Sequence, residues 1–336
     1  MRALFARLPR LAETLARAEL DVRETPVEWW RVDDVVLLVK RDDLSAPTVG
    51  GNKVRALELL LAAHRSGEAL LTVGATGSTH ALAVAEHGAR LGIETQVITW
   101  PQETHPTAEA TARRLSAVAR VTPARSVADA YLRAAARRVR GGVHWIPAGG
   151  SVPLGAIGHV GAALELSDQL KAARLPRPDV IVAPLGSGGT VAGLLVGLAL
   201  AGLEVPLVGV RVVPRLVANR ARVLRLARRT RALLARLAGT SLPPVDARAL
   251  MIEEQAYGGA YGRETMKARR AADALRDAGG PRLDPTYSAK TFAVALDLAR
   301  QSPDERVLFW LTFDGRWLAR GTTPTAARLD PSPNPR

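Results

Sequence analysis

The sequence predicts an α/β protein: parallel, twisted sheets flanked by helices on both faces, organised in two domains. Three observations carry this. The chain has 336 residues, more than one simple core accommodates. Short apolar runs alternate with amphipathic stretches along most of its length. Three of those runs lead into Gly-rich turns that open helices, at 72–83 (TVGATGSTHALA), 146–158 (IPAGGSVPLGAIG) and 182–194 (VAPLGSGGTVAGL).

Taken in order, the predicted strands are Val35–Val39, Leu70–Val73, Gln96–Thr99, Val143–Ile146, Val180–Ala183, Leu207–Val213 and Val307–Leu311. Predicted helices between them include Ala81–Leu91, Ser126–Arg138 and Val191–Leu200. Arg215–Arg236 reads as an amphipathic helix, carrying Leu216, Leu224, Leu226, Leu233, Leu234 and, just past it, Leu237, with a charged outer face. No internal repeat is visible. The Pro-rich polar tail at 321–336 reads as disordered. In sheets of this kind ligands bind beyond the carboxyl ends of strands, so the three glycine-rich junctions are the places to look for chemistry.

Composition excludes several classes. With no cysteine, disulfide and thiolate chemistry are out. No apolar run approaches the ~20 residues that span a bilayer. The first twenty residues lack a continuous apolar core and carry Glu13 and Glu19, unlike a secretory signal. A cytoplasmic protein, off the membrane, is the expectation. The formal net charge is +14, a balance that can signal nucleic-acid binding. Only five of the 46 basic residues are lysine. Such arginine and alanine abundance is what a GC-rich coding sequence produces, and a run like 215–236 is ordinarily a solvated helix face. No nucleic-acid partner is expected. His residues are scattered, with no HExxH or CxxC spacing, so no metal site is predicted.

Gly186-Ser187-Gly188-Gly189-Thr190 follows a strong strand and opens a helix. Glycines let backbone N–H groups converge at a helix N-terminus, an anion site suited to phosphate. The dinucleotide pattern G-x-G-x-x-G is missed, because Val191 stands where its third glycine belongs. A tight turn that needs glycine is the plain alternative. Gly50-Gly51-Asn52-Lys53 precedes an apolar helix. A lysine enclosed there would have a lowered pKa and could act as a nucleophile, although a single lysine is ordinarily a surface residue. Ser78 and Thr79 begin another helix and could grip a carboxylate or simply cap it. His80, two residues on, does not face Ser78 on a helix, which argues against a hydrolase pair.

Together these motifs resemble the pyridoxal-phosphate (PLP) dependent enzymes of fold type II, the tryptophan synthase β-like family. The resemblance is strongest to the group of D-cysteine desulfhydrase and 1-aminocyclopropane-1-carboxylate (ACC) deaminase. It rests on VKRDDLSAPTVGGNKVRALELLL, VGATGSTHALAVAEHGARLG, IPAGGSVPLGAIGHV, PLGSGGTVAGL and LDPTYSAKTFAVALDL, in that order, from about Leu38 to Thr312. The resemblance implies a large cofactor domain, 1–60 plus 161–320, and a smaller mobile domain, 61–160. It implies Lys53 as the Schiff-base lysine and proton shuttle, with Asn52 beside it. Gly186, Ser187, Gly188, Gly189 and Thr190 would hold the cofactor phosphate. Ser78 would sit by the substrate carboxylate or assist proton transfer, and Thr79 would stand at the cofactor's 3′-oxygen. Tyr261 and Tyr287 match two active-site tyrosines, and Ser288 and Thr312 fall where hydroxyls approach the pyridine nitrogen. A homodimer acting on a small amino acid is implied as well.

The chain departs from the group's pattern at four places: Thr79 for asparagine, Ala56 for a lysine after Arg55, Leu311-Thr312-Phe313-Asp314 for HTGG, and Ser288 where ACC deaminases carry an acid. The expected activity is α,β-elimination of a β-substituted amino acid such as D-cysteine, giving a 2-oxo acid and ammonia. ACC deamination is the near alternative. A PLP-binding protein with little catalysis is the alternative of another class.

Overall fold

The computed structural model describes residues 1–319; the predicted disordered tail at 321–336 lies outside them. Ten strands form two sheets among the described residues. Six make one sheet: β1 (Val27–Val32), β2 (Val35–Arg41), β7 (Val180–Leu185), β8 (Leu207–Arg211), β9 (Leu250–Glu253) and β10 (Val307–Leu311). Their order is β1-β2-β10-β7-β8-β9. All neighbours are parallel except β1 and β2, which form a hairpin. The other sheet, order β5-β4-β3-β6, is wholly parallel. It comprises β3 (Ala69–Ala75), β4 (Thr95–Trp100), β5 (Arg120–Pro123) and β6 (Val143–Ile146).

Helices alternate with these strands: α1 (Arg2–Arg7), α2 (Leu11–Thr14), α3 (Asn52–Leu60), α4 (Thr79–Arg90), α5 (Pro106–Val118) and α6 (Val127–Val139), then α7 (Pro153–Ala172), α8 (Gly189–Ala201), α9 (Arg220–Ala238), α10 (Met266–Asp277) and α11 (Ser288–Gln301). Strands β7 and β10 are buried along their whole length, as helices on both faces of a parallel sheet require. Each predicted strand is present. Strands β1, β5 and β9 are additional edge or near-edge elements. β1 (VEWWRV) mixes charged and aromatic residues without clean alternation, and β5 and β9 have four residues each.

Helix α9 begins at Arg220, later than the predicted Arg215. Asn219 caps it by accepting from the Arg222 N–H at 3.0 Å, and Leu216 is 85% exposed, off the apolar face. The buried face is Val223, Leu224, Ala227, Thr230, Leu234 and Ala238. Two of its arginines are engaged within the chain: Arg220 donates to the Ala247 carbonyl at 2.7 Å and Arg231 to the Leu242 carbonyl at 2.6 Å. No helix among the described residues is long and apolar enough to cross a membrane.

A buried ion network ties α3 to the rest. The Arg55 guanidinium donates to Asp42 at 2.7 Å and to both Glu165 oxygens at 3.0 and 3.1 Å. Lys40 donates to Glu165 at 2.6 Å and to the Thr25 carbonyl at 2.6 Å. Burial alone would raise the Glu165 carboxyl, but Arg55 and Lys40 outweigh it and hold it down at about 2. Helix α7 lies directly against α3, since a Cβ on Gly158 would come within 2.0 Å of the Arg55 carbonyl oxygen.

Removing one partner from such a network leaves buried charge uncompensated. Glu165→Ala is therefore expected to lower unfolding free energy by about 3–5 kcal/mol in chemical denaturation; a loss below about 1 kcal/mol, the range of an exposed pair, would count against it. The depressed carboxyl also sets a pH window. Its contribution is complete above the ordinary glutamate pKa of about 4.3 and fades as pH falls toward about 2.

Candidate active site

The carboxyl ends of β2, β10 and β7 are adjacent, and the chain leaving each of them builds one wall of a single pocket. After β2 comes the turn at 49–53. After β10 comes Thr312, and after β7 the loop at 186–190. The other wall is the start of α4, delivered by β3. Lys53, Asn52, Thr79, Tyr287, Thr312 and the whole Gly186–Thr190 loop line this pocket.

Lys53 is set by a strained turn. Gly51 has φ +88°, and a Cβ there would fall 2.3 Å from the Thr312 carbonyl oxygen, so glycine is required. The Asn52 N–H donates to that same oxygen at 3.1 Å. Val49 has φ +44°, strained for a β-branched residue. Bonds on both sides hold it: its carbonyl lies 3.2 Å from His87 Nε2, and the Gly50 N–H donates to Asp314 at 2.9 Å. Lys53 is half-buried and lines the pocket, with its amine desolvated. That desolvation lowers its pKa to about 8, against the pull of the Asp284 carboxylate. His80 is neutral for the same reason: burial, then Lys53, lower it to about 3. Its Nε2 lies 3.3 Å from Thr72 Oγ1, so it does not pair with Ser78.

At the loop, Gly188 takes the left-handed region at φ +96° and caps α8. Asn52 Nδ2 donates to Thr190 Oγ1 at 2.7 Å. Ser151, from the segment after β6, accepts from the Gly189 N–H at 3.0 Å and sits 2.6 Å from Ser187 Oγ. Opposite, the hydroxyls of Tyr261 and Tyr287 are 2.7 Å apart. Burial raises Tyr261 to about 12 and Tyr287 well above its usual value, so both stay protonated. Asp284 accepts from the Tyr287 and Ser288 N–H groups at 2.7 and 3.0 Å, which fixes the start of α11.

Ser78 caps α4 by accepting from the Ala81 N–H at 3.2 Å; Thr79, the next residue, faces the pocket. Ser288 Oγ is buried with no hydrogen-bond partner. The structure thus brings Lys53, Asn52, Thr79, Tyr287, Thr312 and the loop together, and sets Ser78, Tyr261 and Ser288 directly behind them. Sequence reasoning left out Asp284, Asp314 and Ser151. Asp284 could have been found as an Asx residue just before a helix, and Ser151 lay within a glycine turn already singled out. Nothing in the sequence pointed to the Asp314–Gly50 bond, which spans 264 positions.

Two departures also find their reason. Ala56 is buried facing Gly150 and Gly155, with no space for a lysine. Asp314 ties Gly50 and accepts from Arg316 at 2.8 and 2.9 Å, so it braces the lysine turn.

A family profile described as "Pyridoxal-phosphate dependent enzyme" matches residues 18–312, and the chain belongs to that family. It is a PLP-dependent enzyme of fold type II. It is 37% identical over 293 residues to the nocardicin C-9′ epimerase of Nocardia uniformis subsp. tsuyamanensis, covering 82% of this chain and 85% of the relative. It is 32% identical over 299 residues to the D-cysteine desulfhydrase of Serratia proteamaculans, covering 84% and 87%. Among solved structures it is similar to an ACC deaminase homologue, with TM-score 0.75, 26% identity, and 94% and 95% of the two chains covered. The residues fit the cofactor. A glycine-lined N-terminus of α8 offers donors to a phosphate, an enclosed amine of lowered pKa faces it, and Ser288 Oγ is a buried polar atom without a partner.

Labelling of the cofactor-free protein with an amine-acylating reagent is expected to modify Lys53 with a midpoint near pH 8, read by peptide mass analysis. Asp284→Asn should move that midpoint lower, because the carboxylate favours the ammonium. An unshifted midpoint above about pH 10, the ordinary lysine value, would contradict the enclosed amine.

Proposed function

We propose that the chain is a lyase that removes the β-substituent and the amino group of a small amino acid, with D-cysteine or a close analogue as substrate, giving a 2-oxo acid and ammonia. The observation that carries this is Ser288: a buried, neutral hydroxyl without a partner, where an acid would be needed to hold a proton on the cofactor ring. When bound, PLP supplies the electron sink for the electron pair left at the substrate Cα. The chain's own residues do the rest. Lys53 holds the cofactor and, as a neutral amine, takes the Cα proton. Gly186 to Thr190 hold the phosphate, with Asn52 orienting Thr190. Thr79, which lines the pocket, would stand at the 3′-oxygen, and the N-terminus of α4 at Ser78 and Thr79 would receive the substrate carboxylate. The hydrogen-bonded Tyr261–Tyr287 pair, protonated in the resting site, would give a proton to the departing group and regain one from water before the next turnover. Ser288 and Thr312 approach the ring nitrogen without forcing a charge on it, since a neutral partner makes the weaker hydrogen bond.

In the same reading, residues 61–160 form the smaller mobile domain. At the outer mouth of the pocket its links are the Glu103–Arg263 pair at 3.0 Å, half-exposed on both sides, and His105 Nε2 to Thr286 Oγ1 at 3.0 Å, while Ser151 and His87 tie it more firmly at the inner side. Exposed pairs of that kind hold weakly. The reading also carries a cytoplasmic homodimer.

A second reading is favoured by the relative named as an epimerase. Removal of the same Cα proton by Lys53, followed by delivery of a solvent-exchangeable proton to the opposite face by a second donor such as Tyr287, would invert the centre without oxo-acid release.

A panel of D- and L-amino acids separates these. The first reading expects 2-oxo acid and ammonia from D-cysteine or β-chloro-D-alanine, and no 2-oxobutanoate from ACC. Ser288→Glu should shift the visible spectrum of the loaded enzyme. Inversion and solvent-deuterium uptake at Cα without oxo acid would establish the epimerase instead. Efficient turnover of ACC, with every β-substituted amino acid inert, would overturn the hydroxyl argument.

A further inference from the structure

We propose that Ser151 is a positioning residue for the cofactor phosphate. It would act through Ser187 and Gly189, and it would come from the segment that joins β6 to α7. This rests on the reading that the phosphate sits in the loop at 186–190.

The two segments interlock closely. A Cβ on Gly149 would lie 1.9 Å from Ser187 Oγ, and one on Gly189 would lie 2.8 Å from Ser151 Oγ. Glycine on each side is what lets the serine of the other approach. Gly149 has φ +72° and Gly150 φ +63°, so the turn that presents Ser151 also depends on glycine.

The hydrogen-bond inventory then gives Ser151 a direction. A hydroxyl has one hydrogen to donate and two lone pairs. Ser151 Oγ already accepts from the Gly189 N–H at 3.0 Å. Its one hydrogen is free for Ser187 Oγ, 2.6 Å away. If Ser151 is the donor in that pair, the Ser187 hydrogen is released, and Ser187 lines the pocket. An anion in the loop favours this arrangement, because an O–H to a phosphate oxygen is a charge-assisted bond. Ser151 would thus do two things: fix the Gly189 end of the loop, and turn Ser187 into a donor toward the phosphate. Ser151 does not itself line the pocket among the described residues, so it works through its neighbours.

The test separates phosphate from ring. Cofactor-free wild type, Ser151→Ala and Ser187→Ala are titrated with PLP and with pyridoxal, which lacks the phosphate, and binding is followed by absorbance. Loss of one hydrogen bond to a charged group weakens binding roughly tenfold. Ser151→Ala is therefore expected to raise the Kd for PLP about tenfold and to change that for pyridoxal less than about twofold. The double variant should lose less than the sum of the two single losses, because part of the effect of Ser151 runs through Ser187. If Ser151→Ala does not fold, Ser151→Cys, with its weak donor, serves the same comparison. Equal weakening of PLP and pyridoxal, no change in either, or strictly additive losses would overturn the proposal. Gly188→Asp is the control for the underlying reading. If it leaves PLP affinity unchanged, the phosphate lies elsewhere; if it abolishes the PLP preference while Ser151→Ala does not, only the role of Ser151 fails.

Discussion

The arrangement of the pocket depends on one buried cation. Arg55 lies two residues after Lys53 on α3 and is about 1% exposed. Its guanidinium holds Asp42 after β2 and Glu165 on α7, and Thr25 Oγ1 completes the set at 3.2 Å. A planar, always-charged fork suits this better than an ammonium would. The network restrains the rotation of α3, because turning the helix would leave buried charges unpaired. Lys53, two residues earlier on the same helix, lines the pocket at the carboxyl ends of β2, β10 and β7. A chemistry that needs one amine in one place is thereby anchored by a structural arginine that never reaches the cavity.

Electrostatics inside the pocket follow from the same enclosure. His80 and His159 both lie near Lys53 and both are held neutral, chiefly by burial. The tyrosine pair stays protonated. Asp284 is the carboxylate whose pull Lys53 feels, and it is occupied by two backbone N–H groups. Asp284 and Asp314 also line the pocket, but each is taken up by backbone N–H groups, which leaves neutral hydroxyls and backbone donors to meet a phosphate.

Much of this was legible in the sequence. Central parallel strands are buried on both faces, so β7 and β10 read as unbroken apolar runs, and glycines at strand ends mark where backbone must approach a ligand. The glycine turns ahead of Lys53 and Thr79 and at 186–190 were readable for that reason, and these residues line one pocket. The edge strands were not readable, because β1 lacks clean alternation and β5 and β9 have only four residues each. The start of α9 was misplaced because Leu216, apolar in sequence, is exposed. Ion pairs such as Arg55–Glu165, 110 residues apart, and the Asp314–Gly50 bond leave no local signature. They form only when the fold closes, and so the brace behind the lysine turn could not be read in advance.

Lys53 has a competitor. The Lys290 amine also has a pKa lowered to about 8, mainly by burial, but it donates to the Tyr257 carbonyl at 2.7 Å and does not line the pocket. Charge state alone does not choose between them; geometry does. Borohydride reduction of the PLP-loaded protein, followed by peptide mass analysis, decides it. The account predicts the cofactor mass on the peptide containing Lys53 and on no other. Label on Lys290, or on Lys40 within the ion network, would contradict it.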